Sequence, residues 1–193
     1  LYLYQLTNYN KILVQRNNLL KQIRFQNNLI ETLEAWDIQL VKYGSEVIKY
    51  REKFIKHLGE VCQKIHNKLT GGKEKILLEY DRDVGYDSYL TELAKKRQKD
   101  LKYSTTTVGP HRDDISFIVN GIDIRKYGSQ GQQRTAALSL KLAQIQLMRE
   151  VMKESPILLL DDVLSELDSN RKTYLLESIK DTQTIITLSL IHI

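Results

Sequence analysis

Two stretches near the end of the chain hold residue types that can do chemistry. The first is Gly128-Ser129-Gln130-Gly131-Gln132-Gln133-Arg134, directly before a run of small and apolar residues with helical spacing. The N-terminus of a helix has N–H groups without intrahelical acceptors and a partial positive charge. Glycines and a hydroxyl placed there suit a phosphate. The second is Ile157-Leu158-Leu159-Leu160-Asp161-Asp162, an apolar run ending in two carboxylates. It reads as a buried strand delivering acids to a sheet edge, where a hard cation can be held. The first stretch alone is equally a capped helix start with a glycine turn. Combined with the acid pair, and with one helix and a short loop between them, it points to nucleotide chemistry.

Other candidates are weaker. Cys62 and His66 are four apart on one helix face, as two metal ligands could be, but no further ligand joins them in sequence. They read as a core thiol and a surface histidine. Lys95, Lys96, Arg97 and Lys99 form a basic run, read first as a solvated helix face and second as a nucleic-acid contact. His111 and Arg112 lie in a polar turn, read as a satisfied turn constellation before an interdomain or DNA contact. No G-x-x-x-x-G-K-S/T motif occurs in the chain. Gly71-Gly72-Lys73-Glu74 is a decoy, because it follows a helix and lacks the Ser/Thr that would meet Mg²⁺.

The elements that must position these residues follow from periodicity. Apolar residues from Leu6 to Leu33 recur at spacings of three, four and seven, which predicts an amphipathic helix over 6–33. A second is predicted from Trp36-Asp37, with Asp37 as its cap, to Gly71-Gly72. Together they make an antiparallel hairpin over 1–72. A short strand at 76–80, a helix at 89–101 capped by Ser88, and a strand at 115–119 come next. Asn120-Gly121 is a hairpin signal that leads to a return strand at 122–124. A helix then follows Gln133, and the Ile157 strand comes after Pro156. A helix from Ser169 to Lys180, capped by Asp168 or Ser169, and a strand at 184–187 complete an α/β region with parallel pairing over 73–187.

The chain has 193 residues, 41% of them hydrophobic, with a net charge of +5. No apolar run is long enough to span a membrane. A single cysteine excludes an internal disulfide and fits a reducing compartment. The mild basicity permits a polyanionic partner without requiring one. Both ends read as cut. The last six residues, 188–193, break the pattern and correspond to one reading frame of a common sequencing-library transposon end. They are expected to be a non-native tail.

Ser129-Gln130-Gly131-Gln132-Gln133 resembles the signature motif of ABC-type ATPases. Leu158-Leu159-Leu160-Asp161-Asp162 resembles their Walker B strand, and Ser165-Glu166-Leu167-Asp168 their D-loop. The run Thr107-Val108-Gly109-Pro110-His111-Arg112-Asp113-Asp114 and the Gln15-Arg16-Asn17 triplet narrow the resemblance to the RecF family, over residues 1 to about 187. The resemblance implies an α/β fold: the C-terminal part of an ABC-ATPase head with an inserted long helical hairpin, the Walker A loop lying upstream of Leu1. It implies that Ser129, Gln130, Gly131 and Gln132 reach the γ-phosphate of ATP held by a second copy. Asp161 would hold Mg²⁺, Asp162 would orient or deprotonate the attacking water, and Ser165 and Asp168 would lie at the dimer seam. Asp162 stands where many relatives have Glu, so slow turnover is expected, and the chain alone is expected to bind ATP poorly. The implied role is a cytoplasmic, weakly ATP-hydrolysing, DNA-binding protein of replication, recombination and repair, tied to DNA damage and the SOS response. It would dimerise on ATP, bind single-stranded or gapped duplex DNA, and help load RecA with RecR/RecO-type partners, with no membrane involved. An SMC-like chromosome-organising head, or a scaffold head without turnover, is the alternative; a transporter head fits poorly with the two long helices.

Overall fold

The computed structural model describes residues 1–153 and 155–187, and of Asn27, Ser165 and Glu166 it describes the backbone alone. The suspected tail at 188–193 lies outside the described residues. The chain forms two compact units, one from residues 1–55 and 80–115, the other from residues 56–79 and from 116 onward.

In the first unit, α1 spans Tyr2–Ile23 and α2 begins at Leu33 and runs to Leu69 in the second unit. The first helix therefore ends about ten residues earlier than predicted. A 3-10 turn, Asn27–Thr32, carries the chain round, and Leu19, Leu20, Ile23 and Leu33 close into a small core at the corner. Packing of these four decides where the helix stops, although Leu29 and Ile30 continue its period. Asp37 does not cap α2. It lies inside the helix, 1% exposed, with its carboxylate on Arg16 of α1. Helix α3, Tyr89–Tyr103, starts after Ser88, whose side chain makes no capping bond. Tyr9, Ile12, Leu40, Val47, Ile48, Tyr89 and Leu93 form the main core of this unit.

β1 (Ile76–Asp81), β2 (Asp114–Val119) and β3 (Ile122–Asp123), most of whose residues belong to the second unit, form a three-stranded sheet in that order. β2 and β3 are an antiparallel hairpin closed at Asn120-Gly121, both at positive φ as a type I′ turn requires. β3 is only two residues long; Ile124 starts a short helix, α4 (Ile124–Tyr127), instead of continuing the strand. Helix α5 spans Gln130–Met152, starting four residues before the predicted place after Gln133. β4 (Leu158–Asp161) pairs in parallel with β5 (Thr184–Thr187), and α6 (Ser169–Ser178) connects them. The parallel pairing agrees with the sequence. Burial of this strand does not: Leu160 is buried, but Leu159 is 70% exposed and Ile185 56%. A parallel strand is covered only when layers pack on both faces, and among the described residues this sheet has two strands.

Candidate functional site

Ser129 is the N-cap of α5. Its hydroxyl accepts the N–H of Gln132 at 3.2 Å, and the Gln132 side-chain oxygen accepts the N–H of Ser129 at 3.1 Å. This reciprocal capping box explains why the helix begins at Gln130 and not after Gln133. It uses one of the first-turn donors and leaves the N–H groups of Gln130 and Gly131 where a helix offers no internal acceptor. Ser129, Gln130 and Gly131 are exposed and Gln132 is half-buried. A Cβ added at Gly131 would meet only Ser129 Oγ, at 4.0 Å. Its backbone is helical, with no positive φ. Nothing among the described residues requires a glycine there, although glycine costs a helix about 0.5–1 kcal/mol relative to alanine.

Behind this turn the side chains connect inward. Gln132 Nε2 donates to Glu74 Oε1 at 3.2 Å, and Glu74 Oε2 lies 3.2 Å from His66 Nε2. His66 Nδ1 lies 2.9 Å from Ser139 Oγ, which bonds the Thr135 carbonyl at 2.7 Å. His66 is fully buried, which corrects the expectation of a surface histidine. Its ring lies on the stripe of Cys62, Ile65 and Leu69, all buried, and that spacing was legible in the sequence. Burial pushes His66 below its ordinary value, against the neighbouring Glu74 carboxylate, which raises it. Cys62 is a core thiol, pushed up to about 12 by burial. Among the described residues no group of three or more His, Cys, Asp or Glu is placed to bind a metal ion.

Asp161 closes β4 with its carboxylate exposed, where it accepts a hydrogen bond from the Thr187 hydroxyl of β5. Asp162 turns out of the strand at φ 50°, ψ 17°, its N–H donating to the Thr187 carbonyl at 3.2 Å. That left-handed geometry suits Asp and Asn better than longer side chains. An exposed carboxylate at a strand end is an oxygen donor of the kind Mg²⁺ takes. That ion keeps water and substrate phosphate oxygens in its shell and needs only one or two carboxylates. Asp168 caps α6, accepting the N–H of Arg171 at 3.0 Å and its guanidinium at 3.2 Å. The Arg171 N–H holds the Asp168 carboxyl below its usual range. Ser165 lies in the 3-10 turn Val163–Glu166. A cleft of about 300 Å³ separates α5 from β4, lined by Arg134, Lys141, Leu158, Leu159 and Val163 among others.

In the first unit, Lys96 and Lys99 are exposed, Lys95 pairs with Glu92 at 2.7 Å, and Arg97 pairs with buried Asp37 at 2.9 Å. His111 is engaged on both ring nitrogens. Nε2 donates to the Thr106 carbonyl at 3.0 Å, so in the neutral ring Nδ1 accepts from the Tyr9 hydroxyl at 2.6 Å. The triplet at 15–17 proves to be a structural hub. Arg16, fully buried, bridges Asp37 and Asp100, while Asn17 accepts the N–H of Thr106 at 2.8 Å.

The fold is that of an ABC-type ATPase head, in part, with a long helical hairpin inserted. The chain matches RecF over nearly its whole length. It is 57% identical over 187 residues to the DNA replication and repair protein RecF of Agathobacter rectalis, and 56% identical over 189 residues to that of Lachnospira eligens. Each comparison covers 97% of this chain and 52% of the relative, so the chain spans about half the length of the curated relatives it matches. A solved structure of the recombination mediator protein RecF with ATP, of the RecFOR pathway, matches with a TM-score of 0.89 and 38% identity, over 100% of this chain and 54% of that one. The same protein with an ATP analogue gives a TM-score of 0.86. No family model matches the chain. The resemblance read from the motifs is thus borne out in sequence and in structure.

Proposed function

We propose that this chain is the signature-bearing part of an ATP-gated, DNA-binding repair ATPase. The observation that carries the reading is Gly131: a glycine in the first turn of a helix, exposed, with only Ser129 Oγ near the place a Cβ would take. A bare backbone at a helix N-terminus is explained by a close-approaching anion. The relatives' structure with ATP makes a nucleotide phosphate the natural candidate. In this reading Ser129 Oγ and the first-turn N–H groups meet the γ-phosphate of ATP gripped by a second copy. Asp161 is the carboxylate for Mg²⁺, which would neutralise phosphate charge. Asp162 orients or deprotonates the attacking water, and Ser165 and Asp168 lie at the seam between copies. Sequence beyond the span of this chain supplies the Walker A loop and covers the open apolar face at Leu159 and Ile185. ATP then acts as an adhesive between heads, stabilising the dimer until hydrolysis.

Single-stranded or gapped duplex DNA would bind by phosphate contacts, with Lys95, Lys96, Arg97 and Lys99 as candidates, and affinity would fall steeply with salt. Assistance to RecA loading, with RecR/RecO-type partners, in the cytoplasm completes the reading. The test uses the full-length protein in sedimentation with and without ATP. Ser129→Arg is expected to block ATP-driven dimers, and Asp162→Asn, which keeps a side chain suited to φ 50°, to trap them. Dimerisation indifferent to ATP in the intact protein would refute the gating. The chain of 193 residues alone is expected to show no micromolar affinity for ATP in calorimetry.

A further inference from the structure

We infer that Glu74 and His66 are positioning residues for the signature turn, holding Gln132 and through it Ser129 in the geometry that meets nucleotide. The inference rests on the reading of Ser129–Gln132 as a phosphate-closing turn. Glu74 follows the Gly71-Gly72 turn that resembled a phosphate loop, and its carboxylate has two occupied oxygens. Oε1 accepts from Gln132 Nε2 and Oε2 faces His66 Nε2, both at 3.2 Å. Gln132 is the residue whose side chain and N–H close the capping box on Ser129. A second route leaves the same histidine: Ser139 bonds the Thr135 carbonyl, and the Thr135 hydroxyl bonds the Gly131 carbonyl at 2.7 Å. His66 therefore reaches the turn by two hydrogen-bonded routes, at Gln132 and at Gly131, from a fully buried position.

The proton count is constrained. The Ser139 hydroxyl is donated to Thr135, so His66 Nδ1–H donates to Ser139 Oγ. A neutral ring would then present its Nε2 lone pair to the Glu74 carboxylate, which is repulsive. A proton lies between Nε2 and Oε2 in this arrangement only while the pair is protonated, a state that burial, which lowers His66, confines to the acid side. When that proton is lost, Nε2 can keep Glu74 only by taking the ring hydrogen from Nδ1. The Ser139 hydroxyl must then turn toward Nδ1 and release Thr135. The charged groups that bear on the ring are Glu74, in the loop after α2, and Arg171 in the first turns of α6. Glu74 raises the affinity of His66 for the proton, and burial and Arg171 lower it.

The experiment uses the full-length protein as wild type and as three variants, Glu74→Ala, Glu74→Gln and Ser129→Arg. A fluorescent ATP analogue measures nucleotide grip at protein concentrations where the protein is monomeric. Sedimentation measures ATP-driven dimerisation across the histidine titration range. Glu74→Ala is expected to leave the grip unchanged and raise the dimerisation midpoint about tenfold or more, the weight of a charge-assisted hydrogen bond. Glu74→Gln can accept from Gln132 and donate to Nε2, so it is expected to dimerise as wild type near neutrality. Its pH profile is expected to move toward acid. A wild-type midpoint in Glu74→Ala, or a loss of grip in proportion to dimerisation, overturns the inference. If Glu74→Ala does not fold, a wild-type pH profile in Glu74→Gln overturns it instead. Unimpaired dimerisation of Ser129→Arg is a separate outcome: it removes the signature reading itself.

Discussion

Replacing Arg16 with Met is expected to be among the most damaging single changes in the first unit. Arg16 is 0% exposed, and its Nε and one terminal nitrogen reach Asp37 at 2.7 Å and Asp100 at 2.8 Å, themselves 1% and 0% exposed. The two carboxylates fare differently once it is gone. Asp37 keeps a guanidinium, because Arg97 holds its second oxygen at 2.9 Å. Asp100 is left with neutral donors only, the Thr107 N–H at 2.8 Å and its hydroxyl at 2.6 Å. Removing one partner of a buried pair and stranding the other charge costs about 3–5 kcal/mol. The second terminal nitrogen of Arg16 is buried without a partner among the described residues, so the cluster carries a desolvation cost of its own. Neutralising both sides should therefore recover much of the loss. Arg16→Met with Asp100→Asn is expected to be more stable than Arg16→Met alone by about 1.5 kcal/mol or more. Trp36, the single tryptophan of the chain, packs against both cores of this unit and reports its unfolding in urea. A cost for Arg16→Met below about 1 kcal/mol, or strict additivity with Asp100→Asn, would refute the reasoning.

Gly109 has φ 133°, and a Cβ there would meet the Tyr89 hydroxyl at 2.1 Å and the Tyr9 hydroxyl at 2.8 Å. Gly109→Ala is expected to cost about 2 kcal/mol or more in the same urea experiment, and a neutral result would mean the two phenols give way freely. Ser129→Gly should lose only a few tenths of a kcal/mol of helix capping, because glycine is tolerated at that position. Its thermal midpoint should stay near wild type while ATP-driven dimerisation of the full-length protein falls; unaltered dimerisation would confine the hydroxyl to capping. Burial pushes His111 below its ordinary value, so the unfolded chain takes up this proton first on acidification. Stability should decline as pH drops from about 6.5 toward the lowered folded value. His111→Gln should flatten that decline in part, the remainder belonging to His66, which is shifted in the same direction; an unchanged slope would show that His111 does not titrate in this window.

Local chemistry was the legible part of this sequence. The Asn120-Gly121 turn, the Asp168 cap and the alternation that yields parallel β4 and β5 are set by neighbours a few residues apart, and they stand where the pattern put them. The misreadings share one cause. Asp37 resembles a helix cap, and only the fold shows that its partner is an arginine 21 residues earlier. His66 resembles a surface residue until Glu74 and Ser139 supply a polar lining for a buried ring. In both cases a polar side chain that composition alone would place in water is held inside by hydrogen-bonding partners that the fold brings to it. Two further features are accounted for by nothing among the described residues: the bare backbone at Gly131, and the apolar side chains of Leu159 and Ile185 on an open sheet face. Each carries a cost, in helix propensity or in hydrated apolar surface, that a closed site and a covered sheet would offset. Both lie in the second unit, with the proposed phosphate turn at Ser129–Gln132 and the strand that ends in Asp161. The chain spans about half the length of its relatives, so the open sheet face is ascribed to sequence outside it, and Gly131 is the feature that the proposed closing on ATP would explain.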